Sequence, residues 1–300
     1  MEYVTLNNGI KMPMNGFGVY QIPQEETANC VYNAIKIGYR LIDTAQSYFN
    51  ETEVGEGIKK AIDEGIVKRE ELFVTSKVWI DNYGYDKCKE SVLESLKKLD
   101  LEYLDLMLLH QPFSDYYGAY RALEDLYKEG KLKTIGVSNF GQDRLSDICL
   151  FEREIVPQVN QVETNVFNQQ VEAQANMEKY KVQIEAWAPF AEGRNNLFQN
   201  ETLKAIGDKY DKSVAQVVLR WLTQRGVVAL SKSTKPERMS ENFNIFDFEL
   251  SDEDMKIIAG LNEQKSAFFD HYDPKMVEWF DGIVKSRREN HVAANEKKNW

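Results

Sequence analysis

Three hundred residues, 43% hydrophobic and 28% charged, suit a folded chain with a sizeable core and exclude bulk disorder. Forty-eight acidic against 37 basic residues leave a net charge of −11, which disfavours nucleic acid and anionic membranes as partners. Three scattered cysteines and three histidines suggest neither a disulfide framework nor a metal centre, and without a long apolar run or a basic-then-apolar leader the expected setting is the cytoplasm.

In chain order, Asn7-Asn8-Gly9 is a two-residue-type turn signal that predicts an opening β-hairpin. A strand is expected near Met14–Tyr20. Short apolar runs then recur at Tyr39–Asp43, Leu72–Lys77, Tyr103–His110, Thr134–Ser138, Gln158–Val162, Gln183–Ala188 and Val227–Leu230. Their length and their Val, Ile, Leu and aromatic content suit strands buried on both faces. Helical stripes lie between them. Val92, Leu93, Leu96 and Leu99 form one, and Val214, Val217, Val218 and Trp221 another. Gly65 and Gly130 stand where helices should stop. Unbroken alternation predicts parallel strands with right-handed crossovers, and about eight such units fill one (β/α)8 barrel domain over 1–300. A doubly wound sheet would need a glycine fingerprint and helix after its first strand. Gly16-Phe17-Gly18 is followed instead by Val19-Tyr20. From Glu263 onward the chain is aromatic-rich, then polar.

Reactive groups in such a barrel sit just past the C-terminal ends of strands. Those positions give Asp43, Tyr48, Lys77 and His110. Each alone reads most simply as a capping or paired rim residue, but all four together suit one chemistry. A carbonyl that accepts a hydride needs a proton at its oxygen. Tyrosine, with a reference pKa of about 10, is a poor acid near neutrality. A neighbouring ammonium is expected to lower that pKa, a carboxylate holds the ammonium charged, and an imidazole can orient the carbonyl. A second constellation follows the last strand. Lys232, Ser233 and Arg238 flank Pro236 at a helix start, where cations and free N–H groups suit a phosphate monoester.

The run from Gly38 to Tyr48, continuing through Asn50-Glu51 and Val54-Gly55, resembles the aldo-keto reductase family, in particular its bacterial diketogluconate-reductase-like branch. The resemblance spans roughly Tyr3 to Phe280. It implies that Asp43, Tyr48, Lys77 and His110 are the catalytic tetrad, with Tyr48 as proton donor. It implies NADPH as cofactor, its 2′-phosphate on Lys232, Ser233 and Arg238 and its adenine on Glu241 and Asn242. Ser138, Asn139 and Gln161 match the carboxamide contacts, Trp187 the stacking aromatic, and Phe190 with the stretch Glu192–Leu197 the loop over the pyrophosphate. Tyr20, Trp79, His110, Gln111 and Phe113 match substrate-pocket positions. Gln111 stands where many relatives carry tryptophan, Phe49 where a small or polar residue is usual, and Ser231 where proline is usual. Residues 263–300 match a C-terminal tail that closes over the barrel.

These residues together imply an NADPH-dependent reductase of aldehyde or ketone carbonyls, monomeric, with a small-molecule substrate and no metal. The alternative from another class is a non-catalytic NADPH-binding redox sensor or regulatory subunit. A metal-dependent hydrolase on the same fold is disfavoured by the scarcity of histidine.

Overall fold

The computed structural model describes residues 1–151 and 153–298, with 288–298 by their backbone alone. Strands β1 (Tyr3–Thr5) and β2 (Lys11–Pro13) form the antiparallel hairpin, with Thr5 opposite Lys11. Its turn differs from the expected two-residue type. Leu6 N–H donates to Ile10 O at 2.8 Å and Gly9 N–H to Leu6 O at 2.9 Å, leaving a three-residue loop, Asn7 to Gly9. Gly9 takes the left-handed position, φ +87°, that closes such loops. The asparagine side chains face elsewhere. Asn7 Nδ2 donates to Pro157 O and Lys181 O, and Asn8 Nδ2 to Lys133 O, so they tie the hairpin to the entry ends of later strands.

Eight strands follow: β3 (Asn15–Gly18), β4 (Leu41–Asp43), β5 (Phe73–Val78), β6 (Leu104–Leu109), β7 (Leu132–Ser138), β8 (Val159–Glu163), β9 (Gln183–Trp187) and β10 (Val228–Ser231). Each pairs in parallel with the next, and β10 pairs with both β9 and β3, so the barrel closes. Every strand end lies within two residues of its expected position. Gly16 faces the crowded interior, where a Cβ would lie 2.6 Å from side chains of Leu230 and Leu41. Helices α1 (Gln24–Ile37), α2 (Glu51–Asp63), α3 (Tyr85–Leu99), α4 (Tyr116–Lys128), α5 (Gln142–Leu150), α6 (Val171–Lys179), α7 (Glu201–Tyr210), α8 (Val214–Gln224), α9 (Pro236–Phe243) and α10 (Asp252–Ala259) complete this part. On α3, Val92, Leu96 and Leu99 are buried, but Leu93 is 43% exposed and lies off the stripe. On α8 all four expected residues are buried.

The strand period of two organises the barrel interior. Leu6, Met12 and Met14 from the hairpin segment pack with Leu41, Phe73, Leu106, Leu108, Val159 and Val228 into one apolar cluster. Two residues further along the same faces come Asp43 after Leu41 and Gln161 after Val159. Likewise Thr75 and then Lys77 follow Phe73, and His110 follows Leu108. Apolar filling at one end thus gives way to polar groups at the carboxyl ends of the strands.

By internal contacts the chain divides into Met1–Ala267 and the residues from Phe268 onward. The second unit carries α11 (Pro274–Lys298), and in it Phe269, His271, Trp279 and Phe280 form a ring cluster, His271 stacked on Phe280. Asn299 and Trp300, the last residues of the expected 263–300 tail, lie outside the described residues.

Candidate active site

Lys77 is fully buried on β5, an arrangement that requires compensation of its charge. Its ammonium uses all three donors: Asp43 Oδ1 at 2.6 Å, Thr44 O at 3.0 Å and Tyr48 Oη at 3.3 Å. Asp43 Oδ2 accepts from Gln161 Nε2 at 3.0 Å. Burial, the largest influence on Lys77, would lower its pKa. The charge of Asp43, with Tyr48 and the hydrogen bond, outweighs it, so the pKa stands above the usual lysine value and the ammonium is retained.

Tyr48 sits in a single 3-10 turn, Gln46–Tyr48, that follows β4. The expected fall in its pKa is not what the environment yields. Burial of the phenol pushes it up, Asp43 pushes it further, and Lys77 pulls it only part of the way back, to about 12. Tyr48 Oη accepts from Lys77 and donates to no protein acceptor among the described residues. Tyr20, 52% exposed, is not a core residue: its ring lies 4.9 Å from that of Tyr48. The His110 ring stands edge-on to Tyr48 at 5.8 Å and to Trp79 at 5.1 Å, and its Nδ1 lies 3.4 Å from Ser47 Oγ. Asp43, Tyr48, Lys77 and His110 are therefore gathered at one end of the barrel, with Tyr20 and Trp79 as aromatic neighbours.

Gln111 is buried, with its main chain held from both sides by one phenol. Its N–H donates to Tyr83 Oη at 3.0 Å, and Tyr83 Oη donates to its carbonyl at 2.7 Å. Phe113 is also buried, with the Arg144 guanidinium 5.3 Å from its ring centre. Phe49 is 60% exposed and held at φ +58°, a costly conformation for a bulky side chain. Its carbonyl accepts from Gln24 Nε2.

Asn139, after β7, adopts φ +65°, and Trp187 Nε1 donates to its Oδ1 at 2.9 Å. Asn139 Nδ2 donates to His110 O and to Ser138 Oγ. Ser138 Oγ in turn donates to Gln161 O at 2.8 Å. Ser138, Asn139, Gln161 and Trp187 thus form one hydrogen-bonded group that abuts the Lys77 cluster through Gln161 and His110. The rings of Phe190 and Phe198 lie 5.5 Å apart, flanking a loop in which Ala191, Glu192, Gly193, Asn195 and Asn196 all have positive φ. Glu192, an acid without evident purpose in the sequence, lies 3.8 Å from the Arg194 guanidinium.

At the other segment, α9 begins at Pro236. Lys232 and Arg238 are exposed, and their side chains make no ion pair or hydrogen bond among the described residues. That leaves two cations and a helix start available to an anion, the donor set that a phosphate monoester requires. Ser233 Oγ accepts from Lys235 N–H at 3.0 Å and shapes the turn. Glu241 is half-buried and Asn242 buried. Ser231 has its hydroxyl 3.3 Å from Tyr39 Oη, which also donates to Met239 O. The Tyr39 phenol therefore braces β10 against α9.

Sequence reasoning overlooked several supporting residues. Gln46 Oε1 accepts from Trp79 N–H and Asn82 Nδ2, while its Nε2 donates to Ser91 O and Ser95 Oγ. Asn50 and Glu51, quoted only as motif residues, hold the loop after β4 through Val19 O, Thr44 and Ser76. Tyr39 and Glu185 gave no signal beyond their place in apolar runs, and Tyr83 gave none. Among the described residues no group of three His, Cys, Asp or Glu could hold a metal ion, and no helix is long and apolar enough to cross a membrane.

Residues 12–263 match the aldo/keto reductase family model. The chain is 48% identical to a glyoxal reductase of Bacillus subtilis over 88% of its own length and 94% of that protein's. It is 39% identical to a methylglyoxal reductase of Escherichia coli, over 87% and 94%. A silkworm (Bombyx mori) aldo-keto reductase solved in complex with NADP superposes with a TM-score of 0.85 at 34% identity, covering 89% of this chain and 95% of that one. A deep-sea metagenome aldo-keto reductase gives 0.86 at 42% identity, over 90% and 98%. The chain belongs to the aldo/keto reductase family and is an NADP-dependent oxidoreductase that reduces aldehyde or ketone carbonyls.

Proposed function

We propose that the protein reduces small aldehydes, α-oxoaldehydes among them, with Tyr48 as proton donor. One observation carries the assignment of the donor. Lys77 fills a lone pair of the Tyr48 oxygen, so the phenolic proton is left for a substrate oxygen. Bound NADPH supplies the hydride. Lys77 stabilises the phenolate that remains once the proton has gone, and Asp43 keeps Lys77 charged. His110 orients the carbonyl oxygen beside Tyr48. Tyr20, Trp79, Gln111 and Phe113 line the substrate side.

The cofactor residues follow the same reading. Ser138, Asn139 and Gln161 hold the carboxamide, and Trp187 stacks on the ring. Phe190 and its loop cover the pyrophosphate, Lys232, Ser233 and Arg238 take the 2′-phosphate, and Glu241 and Asn242 take the adenine. Support comes from the bonded group around Gln161 and from the two unpaired cations beside α9. The substrate class is supported by the relatives named for glyoxal and methylglyoxal reduction. The buried, free cysteines suit a reducing cytoplasm, and the acidic charge suits a monomer without nucleic-acid or membrane partners. Nothing among these features favours a non-catalytic sensor.

The test is Tyr48→Phe, which removes only the hydroxyl. Turnover of methylglyoxal should fall at least 10²-fold, the usual loss of a general acid, with the NADPH dissociation constant unchanged. Near-normal turnover would overturn the assignment.

A further inference from the structure

Glu185 lies at the middle of β9, fully buried, and has no part in the reaction as described above. Its register partner is Gln161 on the adjoining strand β8. Gln161 Nε2 donates to Glu185 Oε2 at 2.8 Å and, reaching across the barrel to β4, to Asp43 Oδ2 at 3.0 Å. An amide between two carboxyl groups has one favourable orientation. Its NH2 faces both, since the opposite rotamer would set its oxygen against the Asp43 carboxylate, which can only accept. The Gln161 Oε1 is then directed away from both carboxyl groups, as an acceptor. A carboxamide N–H is the complementary donor.

We propose that Glu185 is a positioning residue of the reductase site, which together with Asp43 locks the Gln161 amide so that its oxygen is presented to the nicotinamide carboxamide. The proposal rests on the reading of Gln161 as a carboxamide contact. Two further facts support it. Glu185 Oε1 is buried without a hydrogen-bond partner, a costly feature that packing alone gives no reason to keep. Burial and the nearby Asp43 also raise the Glu185 pKa to about 8, with Gln161 and Lys77 opposing, so at neutral pH it serves as a neutral acceptor without adding a second charge beside Asp43.

The experiment measures NADPH dissociation constants by fluorescence for the wild type, Glu185→Met, Glu185→Gln and Gln161→Ala. Glu185→Met, close in volume, should weaken NADPH about tenfold and raise its KM, with kcat at saturating NADPH near normal. Glu185→Gln can still accept from the Gln161 amide and should bind within about twofold of wild type. A role in packing alone would leave both variants near wild type, because methionine and glutamine each fill the same space. Should the methionine variant not fold, Glu185→Leu, which also fills the space without accepting a hydrogen bond, gives the same reading. If Gln161→Ala binds weakly while Glu185→Met binds normally, the positioning role is wrong and the reading of Gln161 stands. If Gln161→Ala itself binds normally, the reading of Gln161 falls and the proposal with it.

Discussion

Lys77 shows how one buried cation organises a site. Three acceptors surround its ammonium, and two of them, Asp43 and Tyr48, have chemical roles in the proposed reaction. Lys77→Met would leave Asp43 as a buried carboxylate with only Gln161 to oppose it. Breaking a buried pair from one side costs about 3–5 kcal/mol, so thermal unfolding should shift down markedly while turnover is lost. An unchanged melting temperature would mean that Asp43 finds another partner. Glu185 gives a pH signature of opposite origin. Its folded pKa, about 8, exceeds the ordinary 4.5, so the folded chain keeps a proton that the unfolded chain releases first. Stability from this group is therefore fully present below about 4.5 and is lost as pH rises toward 8. Denaturant titrations at several pH values should show wild type losing stability relative to Glu185→Gln over that window. Parallel curves would show that Glu185 ionises normally.

The elements of the fold were largely legible because the strands are buried on both faces and the helices on one. That contrast writes apolar runs of one kind and stripes of another. Legibility failed where a side chain's partner is remote in sequence. Asn7 and Asn8 looked like turn formers, yet they bond strand entries more than 120 residues away, and the loop lengthens by one residue. Gln46, Tyr39 and Tyr83 act through main-chain atoms on other elements, which no local pattern announces. Tyr48 was correctly placed beside Lys77, but its pKa depends on burial that the sequence does not report. At the start of α9, by contrast, the helix begins at Pro236 as its place in the sequence suggests, with Lys232 and Arg238 on either side. Arg238→Ala should weaken NADPH by roughly tenfold or more, since a charge-assisted hydrogen bond contributes about 1.5–3 kcal/mol. NADH, lacking the 2′-phosphate, should be unaffected. Equal losses for both cofactors would move the phosphate site elsewhere.

At the scale of the whole molecule, the barrel and the tail occupy separate stretches of the chain. The hairpin, all eight barrel strands and the apolar cluster fall within Met1–Ala267, and the family match ends at residue 263. A barrel closed by β10 leaves no strand edge that later residues must complete. The unit from Phe268 onward holds its own ring cluster, and the expectation to be tested is that this tail bears on specificity. A chain ending at Ala267 should therefore unfold in one cooperative transition and bind NADPH through Lys232 and Arg238 much as the full chain does. If the tail bears on specificity, KM should change most for bulky carbonyls and least for methylglyoxal. Circular dichroism melts, NADPH titration and a substrate panel on the truncated chain give the answer. Loss of the cooperative transition would show that 1–300 folds only as one domain, and unchanged KM values across the panel would remove the tail from substrate selection.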